Sequence, residues 1–317
     1  LIWLIENEND SHSHLHLYQY LHNFNMLRKI IIFMSVYILF TVNIFSYDNC
    51  DKADNSSRIT VAGGSITEIL FFLGYERNII AVDITSNYPE ETKEYPSIGY
   101  VRNLSAEGIL SLKPTLIIGE DDMGPPSVIE QIRRTGLNIN IIKENHTSEG
   151  IVQKIECIGK IINKENHTHM LIDELIYPSI EELKKISANP ILADIKVMFI
   201  LNMDSGTPVV SGRETSANGF IEMTGATNAF DSFDGWKPVG TESIINASPD
   251  YILISNRGAH SYADLDKLFD HPAIKYTPAA KNRNIIALDG MEMLGFGPRT
   301  IFSALKLSNI FSGNHNE

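Results

Sequence analysis

A phenol and a guanidinium lie two positions apart in the segment YPSIGYVRNLSAEG, as Tyr100 and Arg102. A free tyrosine loses its proton only near pH ~10, and a neighbouring cation favours the ionised form. Arg102 could supply that cation, because alternate residues of an extended segment point to the same side. The pair predicts a functional tyrosine with a cationic neighbour; the plainer alternative is a packed ring beside a solvated guanidinium.

Other reactive patterns are missing from the sequence. It contains no GxSxG, HExxH or CxxC motif, and no cysteine is grouped with histidine. These absences argue against a secreted α/β enzyme and against a built-in zinc site. The acidic run Glu120-Asp121-Asp122 has no catalytic context, and we interpret it as a solvated loop.

The composition is that of a soluble globular protein. The 317 residues are 43% hydrophobic and 21% charged. The formal net charge of -13 provides no overall positive field for nucleic acid. We therefore expect no nucleic-acid partner.

The N-terminal region has the layout of an export signal. Arg28 and Lys29 precede an apolar run, and the small residue Ser46 follows it. The run is short for a bilayer core about 30 Å thick, which favours a cleavable signal peptide at 26–46 over a membrane anchor. Residues 1–25 precede this start and are interpreted as an upstream leader read in error.

The exported part of the chain contains two cysteines, Cys50 and Cys157. Two cysteines do not make a disulfide scaffold, so the fold must depend on its hydrophobic core. The sequence alone leaves open whether these two pair with each other.

Short aliphatic runs bounded by turn residues alternate with helical patterns along the chain. The runs are RITVAGG, NIIAVD, TLIIG and LNINII, followed by IKVMFIL, DYILIS and NIIALD. This alternation predicts βαβ units and parallel sheets. A helix capped by Ser65 is predicted for SITEILFFLG, and a C-terminal helix is predicted after Pro298.

The aliphatic runs fall into two sets. They predict an N-terminal α/β lobe at 58–146 and a C-terminal α/β lobe at 195–317. The segment 147–188 between them is long and rich in helix-forming residues, which predicts one long connecting helix. The predicted fold class is α/β, with two similar lobes joined by one long rigid helix and a ligand cleft between the lobes.

The two lobes also share a short internal repeat. Ser105–Ile118 aligns without gaps on Gly240–Leu253, so that Pro114 matches Pro249. The match predicts the same helix–turn–strand unit in both lobes.

Four segments together resemble one known family: GYVRNLSAEGILSLKPTLIIG, PVVSGRETSANGFIEMTGATNAF, GWKPVGTESIINASPDYILISNRG and AAKNRNIIALDGMEMLGFGPRT. They are similar to the periplasmic haem-binding proteins of bacterial haem ABC importers, and the resemblance runs from about Arg58 to Leu307. It implies a non-enzymatic carrier that captures haem in the periplasm and delivers it to a permease dimer in the inner membrane, with an outer-membrane haem receptor upstream. Some of the segments recur in cobalamin and siderophore carriers of the same fold, which are the alternative.

The resemblance also implies which residues contact haem. It makes Tyr100 the axial ligand of the ferric iron. Arg102 then either stabilises the phenolate or pairs with a haem propionate. Arg257 follows a strand of the second lobe and could reach a propionate, although a salt bridge at the rim is the alternative.

Three methionines are further candidates. Some members of the family carry a histidine in the loop that reads NMDSG here, where Met203 is available only as an apolar cleft wall. The sixth iron ligand and the number of bound haems therefore stay open. Met291 and Met293 could add apolar surface against the porphyrin or could simply fill the core.

The resemblance finally implies a pair of docking carboxylates. Glu68 and Glu222 each lie on the first helix of a lobe, before a glycine. In this class of proteins such a pair contacts arginines of the permease dimer. Ordinary solvated glutamates are the alternative at each position.

Overall fold

The computed structural model describes residues 50–203, 206–255 and 265–313. The leader and signal peptide predicted at 1–46 lie outside these residues. Within the described part, no helix is both long and apolar enough to cross a membrane. Across the same residues, no three histidine, cysteine, aspartate or glutamate side chains are grouped as they would be around a metal ion.

The strands of the described residues form two sheets. In chain order the strands are β1 (Ile59–Ala62), β2 (Ile79–Val82), β3 (Leu116–Glu120), β4 (Asn138–Ile142), β5 (Lys196–Asn202), β6 (Val209–Ser211), β7 (Thr227–Asn228), β8 (Trp236–Pro238), β9 (Tyr251–Ser255) and β10 (Ile285–Leu288). The first sheet has the order β2-β1-β3-β4, and the second has the order β10-β9-β5-β6-β8 with β7 also paired to β5.

Helices connect the strands. In chain order they are α1 (Gly64–Phe72), α2 (Ala106–Ser111), α3 (Pro126–Arg133), α4 (Ser148–Ile161), α5 (Glu165–Leu171), α6 (Tyr177–Ser187), α7 (Pro190–Ala193), α8 (Ser216–Met223), α9 (Thr241–Ala247), α10 (Leu265–Phe269), α11 (Pro278–Lys281), α12 (Gly290–Leu294) and α13 (Pro298–Phe311). Short 3₁₀ turns cover Glu76–Asn78 and Glu90–Glu94.

The predicted parallel pairing holds throughout the first sheet. Its central strand β3 is buried on both faces, with Leu116, Ile117 and Ile118 all 0% exposed, which explains why the strand is an unbroken aliphatic run. The second sheet differs from the prediction, because β6 runs antiparallel to both β5 and β8. The loop between β5 and β6 is too short for the crossover that a parallel pair needs.

The segment 147–188, predicted as one long connecting helix that could be kinked, contains two helical stretches, and only the second is the connector. The helical path breaks after α4, where Asn163 adopts a left-handed φ of 60°. The chain then reverses so closely that a Cβ on Gly159 would lie 2.1 Å from Thr168 Oγ1. The continuous connector is α5, a π-helical turn at Ile172–Ile176 and α6.

The main hydrophobic core contains buried residues from both sheets and from the helices between them.

The C-terminal helix α13 begins at Pro298, as predicted, and Ser308 on this helix donates a hydrogen bond to the Thr224 carbonyl of the second lobe. Cys50 and Cys157 form a disulfide that ties the start of the described chain to α4. A native disulfide of this kind contributes about 2–5 kcal/mol to stability.

The internal repeat has a structural counterpart. Both units consist of a short helix, a turn and a parallel strand, namely α2–β3 and α9–β9. The aligned turn residues Lys113 and Ser248 share a left-handed φ of 51°. The two lobes therefore use the same local backbone solution at equivalent positions.

Candidate functional site

The Tyr100 loop crosses the carboxyl ends of strands β2 and β3. The Ile84 N–H donates to the Gly99 carbonyl at 2.9 Å, and the Gly124 N–H donates to the Val101 carbonyl at 2.9 Å. Gly99 has a φ of 89°, a conformation that favours glycine, and it turns the chain just before Tyr100. Tyr100 thus lies at the edge of the sheet where ligands of parallel α/β proteins bind.

Tyr100 and Arg102 do contact each other, but through a turn. The Asn103 N–H donates to the Tyr100 carbonyl at 2.7 Å, which closes a tight turn in place of the extended segment that we expected. Arg102 Nη1 donates to the Tyr100 hydroxyl oxygen at 3.2 Å. The tyrosine side chain remains accessible, with 40% of the residue exposed.

Asp122 is the second partner of Arg102. Its Oδ2 accepts from Arg102 Nε at 2.8 Å and lies 2.7 Å from Nη2. This hydrogen bond is the main reason why the pKa of Arg102 lies above its ordinary value. This role of Asp122 was not predicted from the sequence, in which the acidic run has the character of a solvated loop.

A buried polar network lies beneath the same edge of the sheet. Ser65 Oγ donates to Glu120 at 2.7 Å, so Ser65 is not the helix cap that the sequence suggested. Lys154 Nζ donates to both Glu144 oxygens at 2.5 and 2.6 Å, to Ser65 Oγ at 3.1 Å and to the Gly295 carbonyl at 3.1 Å. Because Gly295 belongs to the second lobe, Lys154 links the two lobes.

Burial changes the protonation of this network. It is the main cause that raises the pKa of Glu120 to about 8, with the Glu144 carboxylate as the next cause. Burial also raises the pKa of Glu144, although Lys154 opposes that shift. Glu120 therefore holds its proton at neutral pH, which avoids two adjacent buried carboxylates.

The turn between β1 and α1 uses its backbone donors internally. The Gly63 N–H donates to Asp83 Oδ1 and the Gly64 N–H to Thr85 Oγ1, both at 3.0 Å. Gly63 has a φ of 148°, and a Cβ there would lie 2.5 Å from the Glu120 side chain. The glycines of this turn therefore allow β1, α1 and the Glu120 side chain to pack closely together.

Both roles considered for Glu68, a docking carboxylate and a solvated one, require an exposed side chain, but Glu68 is buried, so the expected exposure is wrong. It is 5% exposed and accepts hydrogen bonds from Arg299, at 2.8 Å from both the backbone N–H and Nε. Burial raises the pKa of Glu68, and Arg299 opposes the rise. Arg299 also lies 3.7 Å from the centre of the Tyr88 ring and 3.3 Å from Asp289 Oδ1. The carboxylate is thus occupied within the protein.

Glu222 differs from Glu68 in this respect. It lies near the end of α8 and is exposed. Its Oε1 accepts from Asn218 Nδ2 at 2.8 Å, a bond that leaves the other carboxylate oxygen available. Of the two predicted docking carboxylates, Glu222 is the one that faces solvent.

The methionines divide between core and interlobe positions. Met203 is 2% exposed and Met293 is 0% exposed, so both fill the core and neither forms a cleft wall. Met291 is half-buried, and its terminal methyl packs closely against Gly64 of the first lobe. A Cβ added to Gly64 would lie 2.8 Å from that methyl carbon. Arg257 lies outside the described residues.

Ile84 is an exposed apolar residue beside Tyr100 that was not predicted from the sequence. It follows β2 and is 53% exposed, beside the Tyr100 loop. Asp83 holds its segment in place by accepting from the Thr85 N–H and hydroxyl and from Ser86 Oγ at 2.7–2.9 Å. An aliphatic residue two positions after a buried strand, before three polar residues, was the available signal.

A model of one protein family, described as periplasmic binding protein, matches residues 59–291. That span is well over half of the chain. The chain belongs to the periplasmic binding protein family. The two-lobe α/β fold predicted from the sequence is therefore confirmed for this member of the family.

Solved and curated proteins that are similar to this chain give more detail. The periplasmic haem-binding protein RhuT from Roseiflexus sp. RS-1, in its apo form, is 35% identical and has a TM-score of 0.75; the match covers 82% of this chain and 99% of RhuT. The vitamin B12-binding protein of Photorhabdus laumondii is 24% identical over 81% of this chain and 88% of its own length. YvrC of Bacillus subtilis, an uncharacterised ABC transporter substrate-binding lipoprotein, is 25% identical, and the match spans only 61% of either chain.

Proposed function

We propose that this protein is the periplasmic haem carrier of an ABC importer and that Tyr100 ligates the ferric haem iron. The observation that carries the proposal is the accessible Tyr100 hydroxyl, which receives a hydrogen bond from Arg102 at the carboxyl edge of the first sheet. A guanidinium at this position can donate a hydrogen bond to a tyrosine oxygen that ligates ferric iron. The identity of 35% with a haem-binding protein supports the same assignment.

The surface around Tyr100 suits a porphyrin. Ile84 exposes an aliphatic side chain on a segment that hydrogen bonds hold in place. Ligand sites are mainly apolar with few polar groups, and haem combines an apolar ring with two carboxylates. Ile84 contacts the ring in this proposal, while Tyr100 contacts the iron.

The carrier role requires a membrane partner. We assign that role to an ABC permease dimer of the inner membrane, with Glu222 as a docking carboxylate on the second lobe. The signal peptide proposed at 26–46 exports the chain to the periplasm, and an outer-membrane receptor would supply the haem. The protein itself carries its ligand without transforming it.

Replacement of Tyr100 tests the central assignment. Haemin added to the purified mature protein should shift its Soret band and produce a high-spin charge-transfer band of the iron phenolate. Tyr100→Phe keeps the ring but removes the ligating oxygen, so this band should disappear. Tyr95→Phe is the control, because Tyr95 Oη donates to the Glu76 carbonyl away from the loop. A wild-type spectrum in Tyr100→Phe would overturn the assignment.

A cobalamin carrier is the second candidate, and the vitamin B12-binding relative is the observation that favours it. The two functions separate in parallel titrations with haemin and cyanocobalamin. Saturable binding of cyanocobalamin that is unaffected by Tyr100→Phe, without a haemin complex, would replace the haem proposal.

A further inference from the structure

The guanidinium of Arg102 is divided between two acceptors. Nε and Nη2 face Asp122 Oδ2 at 2.8 and 2.7 Å, and Nη1 faces the Tyr100 hydroxyl at 3.2 Å. A guanidinium is planar, and its donors form a rigid fork. Once Asp122 occupies one edge of that fork, the direction of Nη1 is determined.

Asp122 can orient Arg102 because its own backbone is held firmly. The residue before it, Asp121, accepts from the Glu144 N–H at 3.2 Å. The Met123 N–H then closes a turn onto the Glu120 carbonyl at 3.0 Å. Arg102, by contrast, has a side chain that is 62% exposed, and an exposed arginine without a partner samples many rotamers.

We propose that Asp122 is a positioning residue for haem capture: it holds Arg102 against the Tyr100 oxygen and thereby assigns Arg102 to the iron ligand, leaving the haem propionates to other groups. The inference rests on the proposed haem function and deepens it. It resolves the two roles that the sequence left open for Arg102.

The expected effects follow from the hydrogen bond to the phenolate. A donor at this oxygen withdraws electron density, so its loss should move the phenolate-to-iron charge-transfer band to longer wavelength. Asp122→Asn and Arg102→Ala should both cause this shift, and Asp122→Glu should restore the wild-type position. Haem transfer to an excess of an apo-haemoprotein should become about tenfold faster in Asp122→Asn, as expected for the loss of one charge-assisted hydrogen bond.

A double substitution distinguishes positioning from a direct charge effect. If Asp122 acts only through Arg102, Asp122→Asn should add no further band shift in the Arg102→Ala background. A further shift in the double variant would overturn the inference, and so would a single Asp122→Asn variant whose band does not move or moves to shorter wavelength. Glu130→Gln is the matched control, because it breaks another exposed ion pair of the first lobe, with Arg133 at 3.1 Å.

The outcome also separates this inference from the haem proposal. If the wild-type complex lacks a band that depends on Tyr100, the proposed function fails. If that band is present but does not respond to Asp122→Asn, only the role of Asp122 fails. The exposed Arg102–Asp122 pair contributes little to folding, so all of these variants should fold.

Discussion

At the scale of single residues, Lys154 places a cation where almost no water reaches. Its side chain is 1% exposed, and the bonds to Glu144, Ser65 and the Gly295 carbonyl surround its ammonium group with acceptors. A buried charge is tolerated only when it is paired and hydrogen-bonded. Removal of one partner leaves the other uncompensated.

Replacement of Lys154 should therefore be costly. We expect Lys154→Met to lower the free energy of unfolding by about 3–5 kcal/mol, because Glu144 then remains buried without its cation. Urea titration of the apo-protein measures the change. Lys160→Met is the control on the same helix, since Lys160 is exposed and should change stability by less than about 0.5 kcal/mol. Equal changes in the two variants would contradict the account.

Glu120 makes stability depend on pH. Burial first, and Glu144 next, raise its pKa from 4.5 to about 8. Between these values the folded state holds a proton that the unfolded chain has released, so the free energy of unfolding should fall as pH rises through this window. Glu120→Gln cannot ionise and should show a smaller fall. Urea midpoints measured from pH about 5 to about 8 test this difference, and parallel curves for the two proteins would refute it.

At the scale of elements, the Tyr100 loop depends on the conformation of one glycine. Gly99 has a φ of 89°, while the nearest atom to an added Cβ lies 3.8 Å away, so space is available but the backbone would be strained. The hydrogen bond from Ile84 to the Gly99 carbonyl links this strain to the position of Tyr100. The positive φ that glycine allows at position 99 therefore helps to position Tyr100, the proposed iron ligand.

We expect Gly99→Ala to weaken haem binding. The strain of a left-handed alanine, about 1–2 kcal/mol, should shift the turn and misplace Tyr100. Gly74→Ala is a matched control, because Gly74 has a φ of 66° with nothing within 4 Å and lies at the end of α1. Both variants should lose similar stability in urea, but only Gly99→Ala should weaken the haemin titration. Wild-type haem affinity in Gly99→Ala would show that the turn does not position Tyr100.

At the scale of the whole molecule, side chains of the two lobes meet in polar contacts. Arg299 of the second lobe binds Glu68 of the first, and Lys154 reaches the Gly295 carbonyl. These contacts occupy Glu68, so a charge reversal there would place a lysine against Arg299 inside the protein. A docking test must therefore use Glu222 alone.

Glu222→Lys should reduce haem uptake by cells and leave haem binding by the purified protein unchanged. The variant should lose a charge pair with an arginine of the permease. Added salt should weaken the same pair when the permease is reconstituted in vesicles. Glu181→Lys on α6 reverses another exposed helical glutamate and serves as the control. Normal uptake in Glu222→Lys, or loss of haem binding itself, would exclude Glu222 as the docking carboxylate.

The sequence by itself determined the features that depend on neighbouring residues. Buried strands such as β3 were predicted from aliphatic runs in the sequence. A strand covered on both faces carries apolar side chains on both sides, so it forms such a run. The helix–turn–strand repeat that includes Lys113 and Ser248 was also predicted from the sequence, because the conformation of a turn depends on neighbouring residues. Tyr100 and Arg102 were found together because they are two residues apart.

Only the tertiary structure decided the contacts between distant residues. Glu68 and Arg299 are 231 positions apart, Arg102 and Asp122 are 20 apart, and the disulfide joins Cys50 to a cysteine 107 positions later. Whether a glutamate is solvated or paired depends on which residues of the rest of the chain pack against it. The local sequence pattern does not identify these distant partners. The same applies to the break at Asn163, where close packing of two helices overrides a continuous helical pattern.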